Sequence, residues 1–200
     1  MLKVGITGGI GSGKSIVCQV FEMLGIPIFN ADAAAKFLME TDNSLVANLK
    51  MAFGEAIYDK NGKLDRAALS AKVFNDAAQL NLLNALVHPA TILFAAQWME
   101  QQTSPYALKE AALLFESNSY QDLDFIIGVT APQEIRVQRA MLRDGVAANK
   151  IFERIAMQMN EEEKMQRCDF VIQNDNKKAI LPQVLAIHEK LLLTIKKDCV

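Results

Sequence analysis

Five short stretches of the chain are mainly apolar rather than alternating: Leu2–Thr7, Ile26–Phe29, Tyr106–Ala111, Phe125–Val129 and Phe170–Ile172. Strands with one wet face alternate apolar and polar residues, whereas strands covered on both faces read as continuous apolar runs. The pattern therefore predicts a five-stranded parallel sheet flanked by helices. Helix-length segments separate most of the runs, as wound α/β units require. In the first such segment Val17, Val20, Phe21 and Leu24 recur at helical spacing over Ser15–Leu24, and Gly25 closes the helix before the second run.

The segment between the second and third runs is too long for one crossover. Helical patterns cover Ala33–Met39, Asn43–Phe53, Ala67–Phe74 and Ala77–Gln101, with Asp59-Lys60-Asn61-Gly62 as a turn. Pro89, beside His88, is expected to break or kink the last of these helices. Pro132–Arg167 reads as a second, charged helical excursion that turns at Asp144-Gly145. Lys177–Lys196 reads as an amphipathic closing helix around Ile180, Val184, Ile187, Leu191 and Ile195. The expected organisation is a core of residues 1–32, 105–131 and 168–200, a helical insertion over 33–104 and a helical lid over 132–167.

Composition narrows the class. Hydrophobic residues make up 51% of the chain, enough for a sizeable core, and the net charge of −2 gives no globally basic surface for nucleic acid. Cys18, Cys168 and Cys199 are odd in number and widely spaced, which suits incidental thiols in a reducing compartment. No uninterrupted apolar run reaches the roughly 18 residues that span a bilayer, and Met1 leads straight into the first strand. A cytoplasmic protein is expected, with no nucleic acid, no membrane and no obligate protein partner.

The chemistry concentrates in Gly8-Gly9-Ile10-Gly11-Ser12-Gly13-Lys14-Ser15. The pattern Gly-x4-Gly-Lys-Ser arises by chance in roughly one chain of this length in a hundred, and here it joins a strand to a helix. Glycines let backbone N–H groups converge on a phosphate, and the helix N-terminus adds positive potential. Lys14 is placed to reach β- and γ-phosphates, and the Ser15 hydroxyl to take a Mg²⁺ coordination site. The competing reading is a glycine-rich turn without a ligand.

A guanine-reading Asn-Lys-x-Asp is absent; Asn174-Asp175-Asn176-Lys177 does not supply it. An acidic residue closing an apolar strand would hold Mg²⁺, and the nearest match, Glu116 after Tyr106–Leu114, is imperfect. Asp32, just beyond the second run, is either a general base for an attacking hydroxyl or the N-cap of the next helix. Arg136, Arg139 and Arg143 fall on one helical face, near Gln138, with Arg154 and Gln158 as a second polar stripe. They form either a cationic cover for a triphosphate or a solvated face. His88 reads as a packed structural histidine, and Trp98 and the methionines as core fillers. The residues thus describe a small-molecule kinase, with a kinase for another acceptor or a non-catalytic nucleotide switch as rivals.

Beyond the loop, the chain resembles the dephospho-CoA kinase family, which phosphorylates the ribose 3′-hydroxyl of dephospho-CoA in the last step of coenzyme A synthesis. The likeness runs through Gly5–Ser15, Ala31-Asp32, Gly62–Leu69 with Val73-Phe74, His88-Pro89, Leu113-Leu114-Phe115-Glu116, Gln138-Arg139, Arg143-Asp144, Arg154-Ile155-Ala156-x-Gln158 and Cys168–Ile172 leading to Asn174. The resemblance implies a P-loop α/β core of the nucleoside-monophosphate-kinase type, a helical CoA-binding insertion and a mobile lid. It implies Asp32 as general base, with Lys14 and Arg139 stabilising the γ-phosphoryl group and Arg143 supporting the lid. ATP would be held by Gly9, Gly11, Ser12, Gly13, Lys14, Ser15 and Ile16, with Asn174 at the adenine and Mg²⁺ at Ser15. Dephospho-CoA would meet Asp32, Lys36, Asp65, Arg66, His88, Leu114 and Glu116. Four positions depart from the family pattern: Asn30 and Lys36 where aspartate and arginine are common, Ile16 for threonine, and Ala112 for proline.

Overall fold

β1 (Leu2–Thr7) lies at the centre of a five-stranded parallel sheet. A computed structural model describes residues 1–73 and 76–197, the last two by backbone alone. The expected helix end at Phe74 and the thiol of Cys199 lie outside the described residues. β1 pairs with β3 (Tyr106–Glu110) on one side and β4 (Phe125–Thr130) on the other. β2 (Ile28–Asn30) and β5 (Phe170–Gln173) complete the order β2-β3-β1-β4-β5. This is the sheet expected from the apolar runs. β2 starts two residues later than its run, because Ile26 is buried in the connection and donates its N–H to the Phe21 carbonyl at 3.1 Å.

Two compact units divide the chain: Met1–Asn30 with Met99–Val200, and Ala31–Trp98. In the first, α1 (Lys14–Met23) and α9 (Ile180–Lys197) bring Val17, Phe21, Val184 and Leu191 against Val4, Ile6, Leu108 and Ile127 of the sheet. Between β4 and β5 run α6 (Gln133–Asp144), α7 (Ala148–Ala156) and α8 (Glu161–Gln166). α6 ends at Gly145 in the left-handed region, with φ 65°. Asn160 caps α8 by accepting the N–H groups of Glu162 and Glu163. Residues 132–167, expected as a lid, thus belong to the same unit as the sheet.

The second unit holds α2 (Ala31–Thr41), α3 (Asn43–Phe53), a 3-10 turn (Glu55–Ile57), α4 (Arg66–Val73) and most of α5 (Ala77–Glu100). Its core gathers Leu38, Leu45, Leu49, Phe53, Ile57 and Leu69. Asp59 Oδ1 accepts the N–H groups of Asn61 and Lys63, which forms the expected turn.

Two local expectations are corrected here. α5 runs through Pro89 without a break, so of the two outcomes expected there the break is excluded; Val87 packs in the core on one side of it, and the buried Thr91 hydroxyl donates to the Val87 carbonyl at 2.9 Å. α2 begins at Ala31, so Asp32 is a first-turn residue, where a carboxylate complements the helix dipole, rather than an N-cap of a helix starting at Ala33. By length and composition α5 is also the one described helix apolar enough to cross a membrane. Asn81, Asn84, His88 and Thr91 interrupt it, so no apolar run reveals this. Leu80, Leu83, Val87 and Phe94 of α5 pack into the core of the second unit.

Candidate active site

The loop between β1 and α1 is built on glycine conformations. Gly11 has φ 77° and Gly13 φ 92°, backbone that side-chain-bearing residues rarely adopt. Space is short as well: a Cβ on Gly11 would overlap the Arg136 carbonyl, and one on Gly13 the Asn174 side-chain nitrogen. Lys14 donates from Nζ to the Gly8 carbonyl at 2.8 Å, so its ammonium folds back over the loop. Ser12 is fully buried and Ile16 half exposed.

At the mouth of the loop, the Ser15 hydroxyl donates to Glu110 Oε1 at 3.3 Å. Asn30 Nδ2 donates to the other oxygen, Oε2, at 2.8 Å. An ionised aspartate at position 30 could not make that bond, which gives the Asn30 departure a physical reason. Glu110 is the acid at a strand end for which Glu116 had been the nearest match. The signal was present in the sequence as a charge closing the Tyr106–Leu108 run, but the apolar residues after it hid the strand's end. Serine hydroxyl and carboxylate are hard oxygen donors of the kind Mg²⁺ takes, alongside phosphate oxygens and water. Among the described residues no group of three or more His, Cys, Asp or Glu could cage a metal by itself. The donor set fits an ion delivered with the nucleotide.

Three arginines expected on one face have separate fates. Arg136 is only 4% exposed and pairs through NH1 with Glu161 at 3.0 Å, directly over Gly9. Arg143 pairs with Asp144 at 2.7 Å, and this hydrogen bond raises the guanidinium's pKa above its ordinary value. Arg154 joins the same carboxylate at 2.7 Å. Arg139 alone of the three binds beside Gly13. Its NH2 donates to the Asn174 carbonyl at 3.1 Å and to Asn176 Oδ1 at 2.6 Å, and its buried NH1 has no partner among the described residues. The single open arginine face is therefore corrected to one cation at the loop, one buried pair and one surface pair.

The same helices hold the loop from outside. Ile10 packs with Val137, Ala140 and Ile151, and its N–H donates to Gln158 Oε1 at 3.0 Å. Lys164, wholly buried, donates to Glu116 at 2.9 Å and to the Ala112 carbonyl at 3.0 Å. Burial alone would raise the Glu116 carboxyl, but the Met159 N–H and the Lys164 ammonium outweigh it and hold it below the ordinary carboxylate value. Glu116, at the surface, is thus paired with a buried lysine. Leu114 is fully buried beside Gly5, so a ligand contact through its side chain is corrected to a packing role.

The remaining expected substrate residues lie in the second unit. Asp32 and Lys36 stand one turn apart on exposed positions of α2. Asp65 Oδ1 accepts the Ala68 N–H at 3.0 Å, and Arg66 pairs with Glu40 at 3.5 Å. His88 is half-buried in α5, and burial lowers its pKa.

A parallel sheet with a Gly-x4-Gly-Lys-Ser loop running from its central strand into a helix defines the P-loop nucleotide-binding class. Residues 2–179 match the family described as CoaE: Dephospho-CoA kinase. The dephospho-CoA kinase of Bacteroides fragilis (strain YCH46) is 36% identical over 199 residues, covering 99% of this chain and 97% of that one. Among solved structures, TT1252 from Thermus thermophilus superposes with a TM-score of 0.82 at 34% identity, covering 96% of this chain and 97% of that one. The dephospho-CoA kinase from Campylobacter jejuni does so with 0.70 at 25% identity, covering 96% and 98%. The chain belongs to the dephospho-CoA kinase family.

Proposed function

We propose that Lys14, Arg139 and Asp32 are the residues with which this chain performs its family's reaction, ATP-dependent phosphorylation of the ribose 3′-hydroxyl of dephospho-CoA to coenzyme A and ADP. The loop amides from Gly9 to Ser15 cradle the β-phosphate. Lys14 and Arg139 offset the negative charge on the transferred γ-phosphoryl group. Asp32 accepts the proton of the attacking hydroxyl. Ser15 and Glu110 would hold Mg²⁺, which when bound with ATP neutralises charge on the phosphates. Lys36, Asp65, Arg66 and His88 are proposed contacts for dephospho-CoA, and the reaction is assigned to the cytoplasm.

The observation that carries this reading is Arg139. Its unpartnered buried nitrogen stands 3.8 Å from where a Cβ on Gly13 would lie, so a cation faces the phosphate loop. ADP release should be assayed with Mg²⁺ and ATP against dephospho-CoA, AMP, phosphopantetheine and no acceptor. Stimulation by dephospho-CoA alone is expected. Stimulation by AMP alone would overturn the acceptor, and no stimulation by any acceptor would favour a nucleotide switch.

A further inference from the structure

Asn174 sits one residue past β5 and donates its backbone N–H to the Thr130 carbonyl at 2.8 Å, which extends the β4–β5 pairing. Its side chain is 6% exposed. Nδ2 donates to the Ser12 carbonyl at 2.8 Å, and Oδ1 accepts from Arg139 NH2 at 3.3 Å. Only one orientation of the amide works, because the flipped form would set donor against donor at Arg139 and acceptor against acceptor at Ser12. The backbone carbonyl of Asn174 accepts from the same NH2 at 3.1 Å. Each end of the amide therefore makes a bond inside the protein, one to the phosphate loop and one to the arginine.

Arg139 is gripped by one end. Asn176, held at φ 64°, presents Oδ1 to the same NH2 at 2.6 Å. A left-handed turn suits asparagine, whose side chain tolerates that backbone. NH1, on the other side of the guanidinium, faces Gly13 without a partner among the described residues. A long flexible side chain can stabilise charge in a transition state only if its position is fixed beforehand.

We propose that Asn174 is a positioning residue that couples Arg139 to the phosphate loop, rather than a reader of the adenine base. This rests on the reading that Arg139 meets the transferred phosphoryl group. A purine could reach only the amide's second N–H or second lone pair, and with Asn174 6% exposed little of the group is open to a base; glycine at position 13 is what lets the amide lie so close to the loop.

The two roles differ in steady-state kinetics. kcat and KM for ATP and for GTP should be measured, at saturating dephospho-CoA, for wild type, Asn174→Ala, Arg139→Ala and the double variant. Positioning predicts that Asn174→Ala loses kcat by on the order of tenfold to a hundredfold, as a displaced catalytic group does. KM for ATP should stay within about threefold, and the ATP-to-GTP ratio of kcat/KM should not move. In the Arg139→Ala background the Asn174→Ala loss should vanish, because the residue it positions is gone. A changed nucleotide ratio, an unchanged kcat, or additive losses would each overturn the proposal. If Arg139→Ala itself leaves kcat intact, the role of Arg139 fails first and takes the coupling with it. Should Asn174→Ala not fold, Asn176→Gly removes one acceptor from Arg139 and keeps the backbone relaxed. It should then lower kcat a few-fold at an unchanged nucleotide ratio, and an unaltered kcat would overturn the grip on Arg139.

Discussion

The Ser15 hydroxyl donates to the Glu110 carboxylate at 3.3 Å across 95 residues of sequence. The strand order makes this possible: β3 lies beside β1, with Glu110 level with Ile6, so the end of one strand faces the helix that follows the other. If the pair holds the metal that accompanies ATP, Glu110→Gln should raise the Mg²⁺ concentration needed for half-maximal rate. The expected loss is roughly 10–100-fold in metal affinity or activity, the range for removing a supporting group around a ligand. Initial rates across a Mg²⁺ series check this, and an unshifted series would leave Glu110 as a partner of Asn30 only.

Asp32→Asn should lower kcat by about 10²–10⁴-fold, the usual contribution of a positioned base, with KM for ATP changed only slightly. The amide keeps the size of the side chain and its place in the first turn of α2. Turnover within a few-fold of wild type would reduce Asp32 to an acid that complements the helix dipole.

Gly11 and Gly145 share left-handed backbone but not surroundings. Around Gly145 nothing lies within 4 Å of an added Cβ, so Gly145→Ala should cost only about 1 kcal/mol of backbone strain. At Gly11 the Cβ would overlap the Arg136 backbone, so Gly11→Ala should cost about 3 kcal/mol or more and weaken ATP binding. Urea denaturation of the two variants, side by side, measures the difference.

Lys164→Met should destabilise by about 1.5–3 kcal/mol, because the ammonium's bonds to Glu116 and to the Ala112 carbonyl are lost. The double variant with Glu116→Gln should regain at least about 1 kcal/mol of that loss. Unfolding free energies from a double-mutant cycle test both statements.

The lowered Glu116 pKa sets the sign of a pH effect. Its contribution to stability is complete above the ordinary carboxylate value of 4.5 and is lost as pH falls from there through the lowered folded-state value. Wild type should therefore lose stability over that acid range more steeply than Glu116→Gln, as seen in melting temperature against pH. Parallel curves would remove Glu116 from the acid response.

Much of the architecture was legible because burial on both faces leaves a local mark. Val4, Ile6, Leu108 and Ile127 are buried in the sheet and were apolar runs in the chain, and the Gly-x4-Gly-Lys-Ser spacing marked the phosphate loop directly. What escaped was set by long-range contact. Arg136 lies in a polar stretch of α6 that reads as exposed, and it is buried only because Gly9 and Gly11 admit α6 closely. Glu110 acquires meaning only when strand order brings it to Ser15. The bond of Asn174 to Ser12 spans 162 residues, and no local pattern encodes it. Pro89 does not end α5, and the packing of Val87 and Phe94 in the core, which no local pattern announces, lies on either side of it.

The most direct test of the central claim is to follow the γ-phosphoryl group itself. Wild-type protein should be incubated with γ-labelled ATP, Mg²⁺ and dephospho-CoA, and the labelled product located by ³¹P NMR. The account predicts label in coenzyme A, as a monoester on the ribose 3′-oxygen, in step with ADP formation. Label on another hydroxyl, or released as inorganic phosphate while dephospho-CoA stays unchanged, would contradict it.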